Sequence, residues 1–290
     1  MLSVERRIPS SLSSPEPSIK VAVDDATQRL AGTATGTPRL DAEVLMGHIL
    51  GWPRARLFAH WDEPLPRDDR HRYHQVVERR AAGEPVAYIR RIKEFLGMEL
   101  YVDPRVLIPR PETELLVARS VAWLRDRPGA RVVDVGTGSG AVAMGILKAC
   151  PDVRLTATDV SPDALDVARV NAERQAVSFD LASGSLLEPV DGPIDLVVAN
   201  LPYLSRDEYE SLLATPIAFE PRQALTDEAD GLRLFDALLA EIPAKLSPAG
   251  AVLLEIGSGQ PAALQHLARG WHTELFADYA GLPRVLQLHA

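Results

Sequence analysis

The stretch Val132-Val133-Asp134-Val135-Gly136-Thr137-Gly138-Ser139-Gly140-Ala141-Val142-Ala143 constrains the fold of this chain more than any other. It reads as an apolar strand, a glycine loop and the first turn of a helix. Glycine at alternate positions lets the backbone turn sharply and come close to a ligand that a Cβ would hold off. The chain downstream continues in the same style. Strand-like apolar segments stand at residues 131–135, 154–158, 194–199 and 251–256, with helical stretches such as 162–172 and 232–246 between them. Such alternation predicts an α/β, Rossmann-like fold, a parallel sheet with helices on both faces.

The N-terminal part differs. From Asp41 the apolar positions Ala42, Leu45, Met46, Ile49 and Leu50 recur at helical spacing, and Gly51 then Pro53 end the run. A second helix is expected over 67–82, with Asp68 and Asp69 near its start and Gly83 at its end. Residues 9–18 are rich in Ser and Pro and can bury little. At 290 residues the chain exceeds one usual domain. The expected organisation is a disordered lead-in over 1–18, a small helical domain over 19–90, a hairpin linker around Gly97 over 91–109, and the α/β domain over 110–290.

Composition narrows the function classes. No apolar run approaches the ~18 residues of a membrane span, and no signal-peptide pattern follows Glu5, Arg6 and Arg7. Cys150 is the single cysteine, so no internal disulfide forms and the cytoplasm is the expected compartment. A formal charge of −9 argues against a broad basic surface for nucleic acid. The acidity is C-terminal: residues 101–290 hold 16 Lys+Arg against 26 Asp+Glu. The seven histidines show no zinc-ligand spacing apart from the pair His71 and His74, so no metal is expected.

Two loops carry the chemistry. Gly136, Thr137, Gly138, Ser139 and Gly140 are the cofactor-binding candidates, with Asp159 just past the next strand placed to accept hydrogen bonds from two ribose hydroxyls. A nicotinamide dinucleotide site has the same ingredients, so the loop leaves two cofactor classes open. The order G-x-G-x-G followed by Ala141, instead of G-x-G-x-x-G, favours S-adenosylmethionine. At the end of the strand 194–199 stands Asn200-Leu201-Pro202-Tyr203. An amide or aromatic NH2 is a poor nucleophile because its lone pair is delocalised. Acceptors aimed at its two N–H groups, the Asn200 side-chain oxygen and the Leu201 carbonyl, push electron density onto nitrogen and stabilise the charge that develops there. Pro202 stiffens the loop and Tyr203 offers a flat face, so Asn200, Pro202 and Tyr203 are the catalytic candidates. The plain alternative is a turn after a strand, since Asn and Pro are common turn residues.

With these residues stated, the sequence resembles the protein-(glutamine-N5) methyltransferases of class I peptide chain release factors, over nearly the whole chain from about Asp41. The family's Asn-Pro-Pro-Tyr motif is met by Asn200-Leu201-Pro202-Tyr203, with Leu in the second place, a change that bears on the rigidity of the loop. Gly83 to Ile89, Glu94-Phe95, Gly97, and Val106-Leu107-Ile108-Pro109-Arg110-Pro111-Glu112-Thr113-Glu114 also match. So do Glu220-Pro221, Asp230-Gly231-Leu232 and Leu254-Glu255-Ile256-Gly257. The resemblance implies a seven-stranded S-adenosylmethionine-dependent methyltransferase domain, S-adenosylhomocysteine as product, and the glutamine of a Gly-Gly-Gln loop as acceptor. It further implies that the helical domain helps recognise the release factor, and that Leu186 lies against the cofactor. Release factors are the expected partner of what we take to be a monomer. Arg110, Glu112 and Glu114 either line the cofactor mouth or merely place acids at a helix start. Glu255 is not read as catalytic. The rival function is an N6-adenine methyltransferase for DNA or RNA, which needs the same acceptor geometry.

Overall fold

The computed structural model describes residues 16–33 and 35–289. The lead-in expected over 1–18 therefore lies largely outside the described residues. The chain divides into two compact units after Arg90.

The first unit is helical: α1 (Ile19–Ala31), α2 (Pro38–Leu50), α3 (Arg54–Ala59), α4 (Arg67–Ala81) and α5 (Val86–Arg90). Helix α1 buries Ile19, Ala22, Val23, Ala26 and Leu30, a stripe at helical spacing, and Ser18 caps it by accepting the Val21 N–H at 3.3 Å. Gly51 closes α2 in the left-handed conformation at φ +66°. Two charges lie inside this unit. Arg80 Nε donates to Asp41 Oδ2 at 2.7 Å, and each residue is less than one-tenth exposed. The Thr35 and Thr37 hydroxyls donate to the same carboxylate, so its lone pairs are largely taken up.

The second unit opens with the hairpin β1 (Lys93–Phe95) and β2 (Met98–Leu100), whose two-residue turn has positive φ at both Leu96 and Gly97. There follow α6 (Thr113–Leu124), β3 (Arg131–Val135), α7 (Ala141–Ala149), β4 (Arg154–Asp159), α8 (Pro162–Gln175), β5 (Asp180–Ser183), β6 (Ile194–Ala199) and α9 (Arg206–Ser211). The unit ends with α10 (Arg233–Glu241), β7 (Leu246–Glu255), α11 (Pro261–Leu267), β8 (His272–Ala277) and β9 (Pro283–His289). The expected helix over 232–246 stops at Glu241 and tightens into a 3₁₀ turn at Ile242–Ala244, because Pro243 has no N–H to continue the ladder.

One seven-stranded sheet forms in the order β5-β4-β3-β6-β7-β9-β8. Strands β5 to β7 pair in parallel, and β9 runs antiparallel to both of its neighbours. Alternation along the central strands sends Val132, Leu196 and Val198 to one face, against Ala143, Met144 and Ile146 of α7. Val133, Val135, Val197 and Ala199 pack on the other face, with Phe235 and Leu238 of α10. From β3 the chain steps to β4 on one side, while β6 lies on the other. That reversal of strand order is where open α/β sheets bind ligands, beyond the carboxyl ends.

Candidate active site

Register sets four residues in a row along the carboxyl edge. Val135 pairs with Ala199 and with Thr158, and Ala199 pairs with Leu254. The next residue on each strand, in order across the sheet, is Asp159, Gly136, Asn200 and Glu255. A cavity of about 250 Å³ opens at this edge, lined by Gly136, Gly138, Asp159, Leu186, Asn200 and Leu201, among others. Thr137, Ser139 and Pro202 also face it, whereas Gly140 and Tyr203 are not part of the lining.

The three glycines have different reasons to be glycine. All have positive φ, at +71°, +54° and +81° for Gly136, Gly138 and Gly140. A Cβ at Gly138 meets no protein atom within 4 Å, so the backbone there is open to a ligand. A Cβ at Gly140 would stand 3.3 Å from both Ala168 Cβ and Met144 Cε, so this position serves the packing of α7 on α8. The loop is anchored by backbone: the Gly136 and Thr137 N–H groups both donate to the Thr158 carbonyl at 2.9 Å.

Acid groups frame the loop. Asp159 Oδ2 accepts the Gly138 N–H and Oδ1 accepts the Ser161 N–H, both at 2.9 Å. Each oxygen keeps a lone pair for a further donor. Burial raises this carboxyl above its ordinary range, against the pull of those N–H donors. Asp134 is a polar residue within an apolar strand and is 1% exposed. It accepts the Thr137 hydroxyl at 2.7 Å and the Ala143 N–H at 3.2 Å, tying the two ends of the loop together. Desolvation pushes its carboxyl up to about 7. Leu186 sits at φ +49°, a costly backbone for leucine. Its carbonyl is held there by the Thr158 hydroxyl at 2.9 Å.

On the acceptor side, Asn200 Nδ2 donates to Thr113 Oγ1 at 3.2 Å. Thr113, the first residue of α6, lines the cavity and is 4% exposed. Tyr203 lies one step back: its carbonyl accepts from Gln260 Nε2 at 3.0 Å, and its ring stands against Gly257. Behind it Asp227 folds a tight turn by accepting the N–H groups of Ala229, Gly231 and Arg233. Arg110 is taken up by Glu220, which also accepts the Ile108 N–H. Glu114 accepts the Leu96 N–H at 3.2 Å. Neither Arg110, Glu112 nor Glu114 lines the cavity, which fits acids at a helix start.

Comparison with known proteins bears on the whole of this arrangement. Residues 22–90 match the PrmC N-terminal domain and residues 113–232 match the methyltransferase small domain. Release factor glutamine methyltransferase from Bordetella pertussis is 42% identical over 255 residues, covering 86% of this chain and 94% of the relative. This chain belongs to the release factor glutamine methyltransferases. The enzyme of that name from Deinococcus radiodurans is 38% identical, over 90% of this chain and 95% of its own. A solved methyltransferase from Pyrococcus furiosus, 19% identical, superposes with TM-score 0.52 over 75% of this chain and 97% of its own, and shows the same fold. The methyltransferase function and the seven-stranded sheet expected from the resemblance therefore hold. Among the described residues no helix is long and apolar enough to cross a membrane.

Sequence reasoning passed over Thr113 and Asp134 as site residues. A carboxylate inside Val132-Val133-Asp134-Val135 is an anomaly visible in the sequence, because such a group is rarely buried without partners. Thr113 gave no such signal, since its partner Asn200 is 87 residues away.

Proposed function

We propose that this methyltransferase transfers a methyl group from S-adenosylmethionine to the side-chain amide nitrogen of a glutamine, that of the Gly-Gly-Gln motif in class I peptide chain release factors. The observation that carries the reading is the shared cavity: Asn200 lines the same space as Gly138 and Asp159, and its NH2 end is engaged by Thr113. That leaves the Asn200 Oδ1 to accept from a substrate.

The lining fits the donor molecule. Open backbone at Gly138 and a carboxylate at Asp159 with spare lone pairs suit a nucleoside and its ribose, and Leu186 and Leu201 supply apolar surface. When bound, S-adenosylmethionine supplies an electrophilic methyl group on a sulfonium. Asn200 Oδ1 and the Leu201 carbonyl would each accept one N–H of the glutamine amide. That raises electron density on nitrogen and offsets the positive charge of the transition state. Orientation adds to this, within the ~7–11 kcal/mol that ideal positioning can supply. No strong base is needed. The nitrogen ends with a methyl in place of one proton, which leaves to solvent, and S-adenosylhomocysteine is the by-product. The helical unit over 19–90 contributes to recognising the release factor.

The test is incubation with labelled S-adenosylmethionine and a release factor, then mass spectrometry of the Gly-Gly-Gln peptide. One added methyl on glutamine is expected. Asn200→Ala should lower kcat by about 100-fold or more, the scale of losing a transition-state hydrogen-bond partner, with cofactor affinity changed far less. Transfer to adenine in DNA or RNA would overturn the assignment.

A further inference from the structure

We infer that Arg105 binds the α-carboxylate of the methyl donor, with Asp103 as the residue that aims it. The inference rests on the proposed use of S-adenosylmethionine and extends it from the nucleoside to the amino-acid tail. Of the described residues that line the cavity, Arg105 is the only basic one, and its acidic companions are Asp134 and Asp159. Asp134 is turned to the Thr137 hydroxyl and the Ala143 N–H, and Asp159 is the group proposed for the ribose. S-adenosylmethionine brings one anionic group, the carboxylate of its methionyl part. A carboxylate entering a cavity already framed by two acids needs directed donors to offset its loss of water.

Arg105 is carried by residues 101–112, which connect β2 to α6 and pass along the cavity, where Val106, Leu107 and Pro109 also line it. At the start, Asn171 of α8 accepts the Tyr101 N–H at 2.6 Å and donates to the Tyr101 carbonyl at 2.9 Å. The same amide donates to the Ser139 carbonyl of the glycine loop. Past the middle, Glu220 accepts the Ile108 N–H at 3.0 Å. At the far end Thr113, the first residue of α6, meets Asn200. The segment therefore runs from the glycine loop to the acceptor loop, along the space left for the tail of a donor whose nucleoside lies at Asp159. Arg110, the other cation on the segment, is engaged by Glu220 and does not line the cavity.

The guanidinium is set in advance for an anion. Its Nε donates to Asp103 Oδ1 at 2.9 Å and its Nη2 to Oδ2 at 2.7 Å, a two-pronged contact that fixes the plane of the group. Asp103 is 8% exposed and is held in turn by the Tyr101 hydroxyl at 2.8 Å and the Arg105 N–H at 3.0 Å. Arg91 donates to that hydroxyl at 2.9 Å, so the chain of contacts continues behind it. Asp103 occupies one edge of the guanidinium. Nη1 makes no hydrogen bond among the described residues, and Nη2 keeps a second N–H. Together they form the other edge, a fork that matches a second carboxylate. The Arg105 side chain is 37% exposed, so that edge is not shut in by protein. The pair with Asp103 is neutral overall, and the gain from the tail comes from two directed N–H donors more than from net charge.

The experiment measures Kd by calorimetry, on the full chain, for S-adenosylhomocysteine and for its decarboxylated form, which keeps the nucleoside, the thioether and the ammonium. Wild type should bind the first about 10-fold more tightly than the second, the scale of hydrogen bonding to a charged group. Arg105→Ala should weaken the first by about 10-fold and the second by less than about twofold, so that the preference disappears. If Arg105 only holds the segment in place, its loss weakens both ligands alike, and that result overturns the inference. A variant that binds both ligands as wild type does overturns it too. Should Arg105→Ala not fold, the double variant Asp103→Asn with Arg105→Gln leaves no unpaired charge and is read by the same ratio. If wild type binds neither ligand, the proposed cofactor itself falls, a failure distinct from loss of the carboxylate contact.

Discussion

Gly136 and Leu201 abut: a Cβ built at Gly136 falls 3.5 Å from Leu201 Cδ2. The loop expected to hold the methyl donor thus leans on the loop expected to hold the acceptor. The glycine series should accordingly give separable phenotypes. Gly138→Ala should weaken cofactor binding, read by calorimetry, because its Cβ enters open space beside the cavity. Gly140→Ala should instead lower stability by about 1–3 kcal/mol through backbone strain and overpacking against Ala168 and Met144, read as a shift in urea midpoint. A Gly138→Ala variant that binds cofactor as tightly as wild type would speak against a ligand at that backbone.

Asp134 should make stability depend on pH. Its carboxyl, raised by burial from 3.8 to about 7, binds its proton more tightly in the folded chain than in the unfolded one. The contribution is greatest below about pH 4 and is lost as pH climbs to 7, above which it is level. Asp134→Asn removes this slope. The difference in stability between wild type and variant should move in favour of the variant between pH 4 and 7. The swing should be on the order of a few kcal/mol, measured by urea unfolding of both proteins at each pH.

Gly231→Ala should disable the acceptor loop. A Cβ there would stand 2.3 Å from the Tyr203 carbonyl oxygen, and φ is +81°. The turn held by Asp227, or the backbone at Tyr203, must shift. We expect kcat to fall by about 10- to 100-fold, since displacements near 1 Å at reacting groups have that effect. Cofactor affinity should stay near wild type, as Gly231 does not line the cavity.

In the helical unit, Asp41→Ala leaves the Arg80 guanidinium buried with only the Gly83 and Glu84 carbonyls as acceptors. Breaking a buried pair from one side costs about 3–5 kcal/mol. The loss should appear in urea unfolding followed by the fluorescence of Trp52 and Trp61.

Legibility in the sequence followed the length of the apolar run. Strands β3 and β6 were readable to the residue, because each is a short apolar run ended by Gly136 or by Asn200-Leu201-Pro202. Strand β7 begins earlier than its apolar run, at Leu246, since Ser247, Pro248 and Gly250 break the pattern where the register with β6 shifts. Strands β5, β8 and β9 went unread: β5 and β8 are edge strands with mostly exposed or half-exposed residues, His272-Thr273-Glu274 carries no apolar alternation, and in the buried β9 Gln287 interrupts the short apolar run Val285-Leu286-Gln287-Leu288. Of the candidate site, the residues that line the cavity from a glycine loop or a post-strand motif were legible. Thr113, which acts on Asn200 only through tertiary contact, was not.

The pairing of Val135 with Ala199 has a further meaning for how such a chain can vary. The proposed donor and acceptor loops leave the same rung of one hydrogen-bonded ladder, whose strands stand ~4.8 Å apart whatever connects them. Insertions or deletions in the sixty-odd intervening residues, at helix ends or on the rim, can therefore alter reach and partner choice while the spacing of the two proposed loops stays fixed.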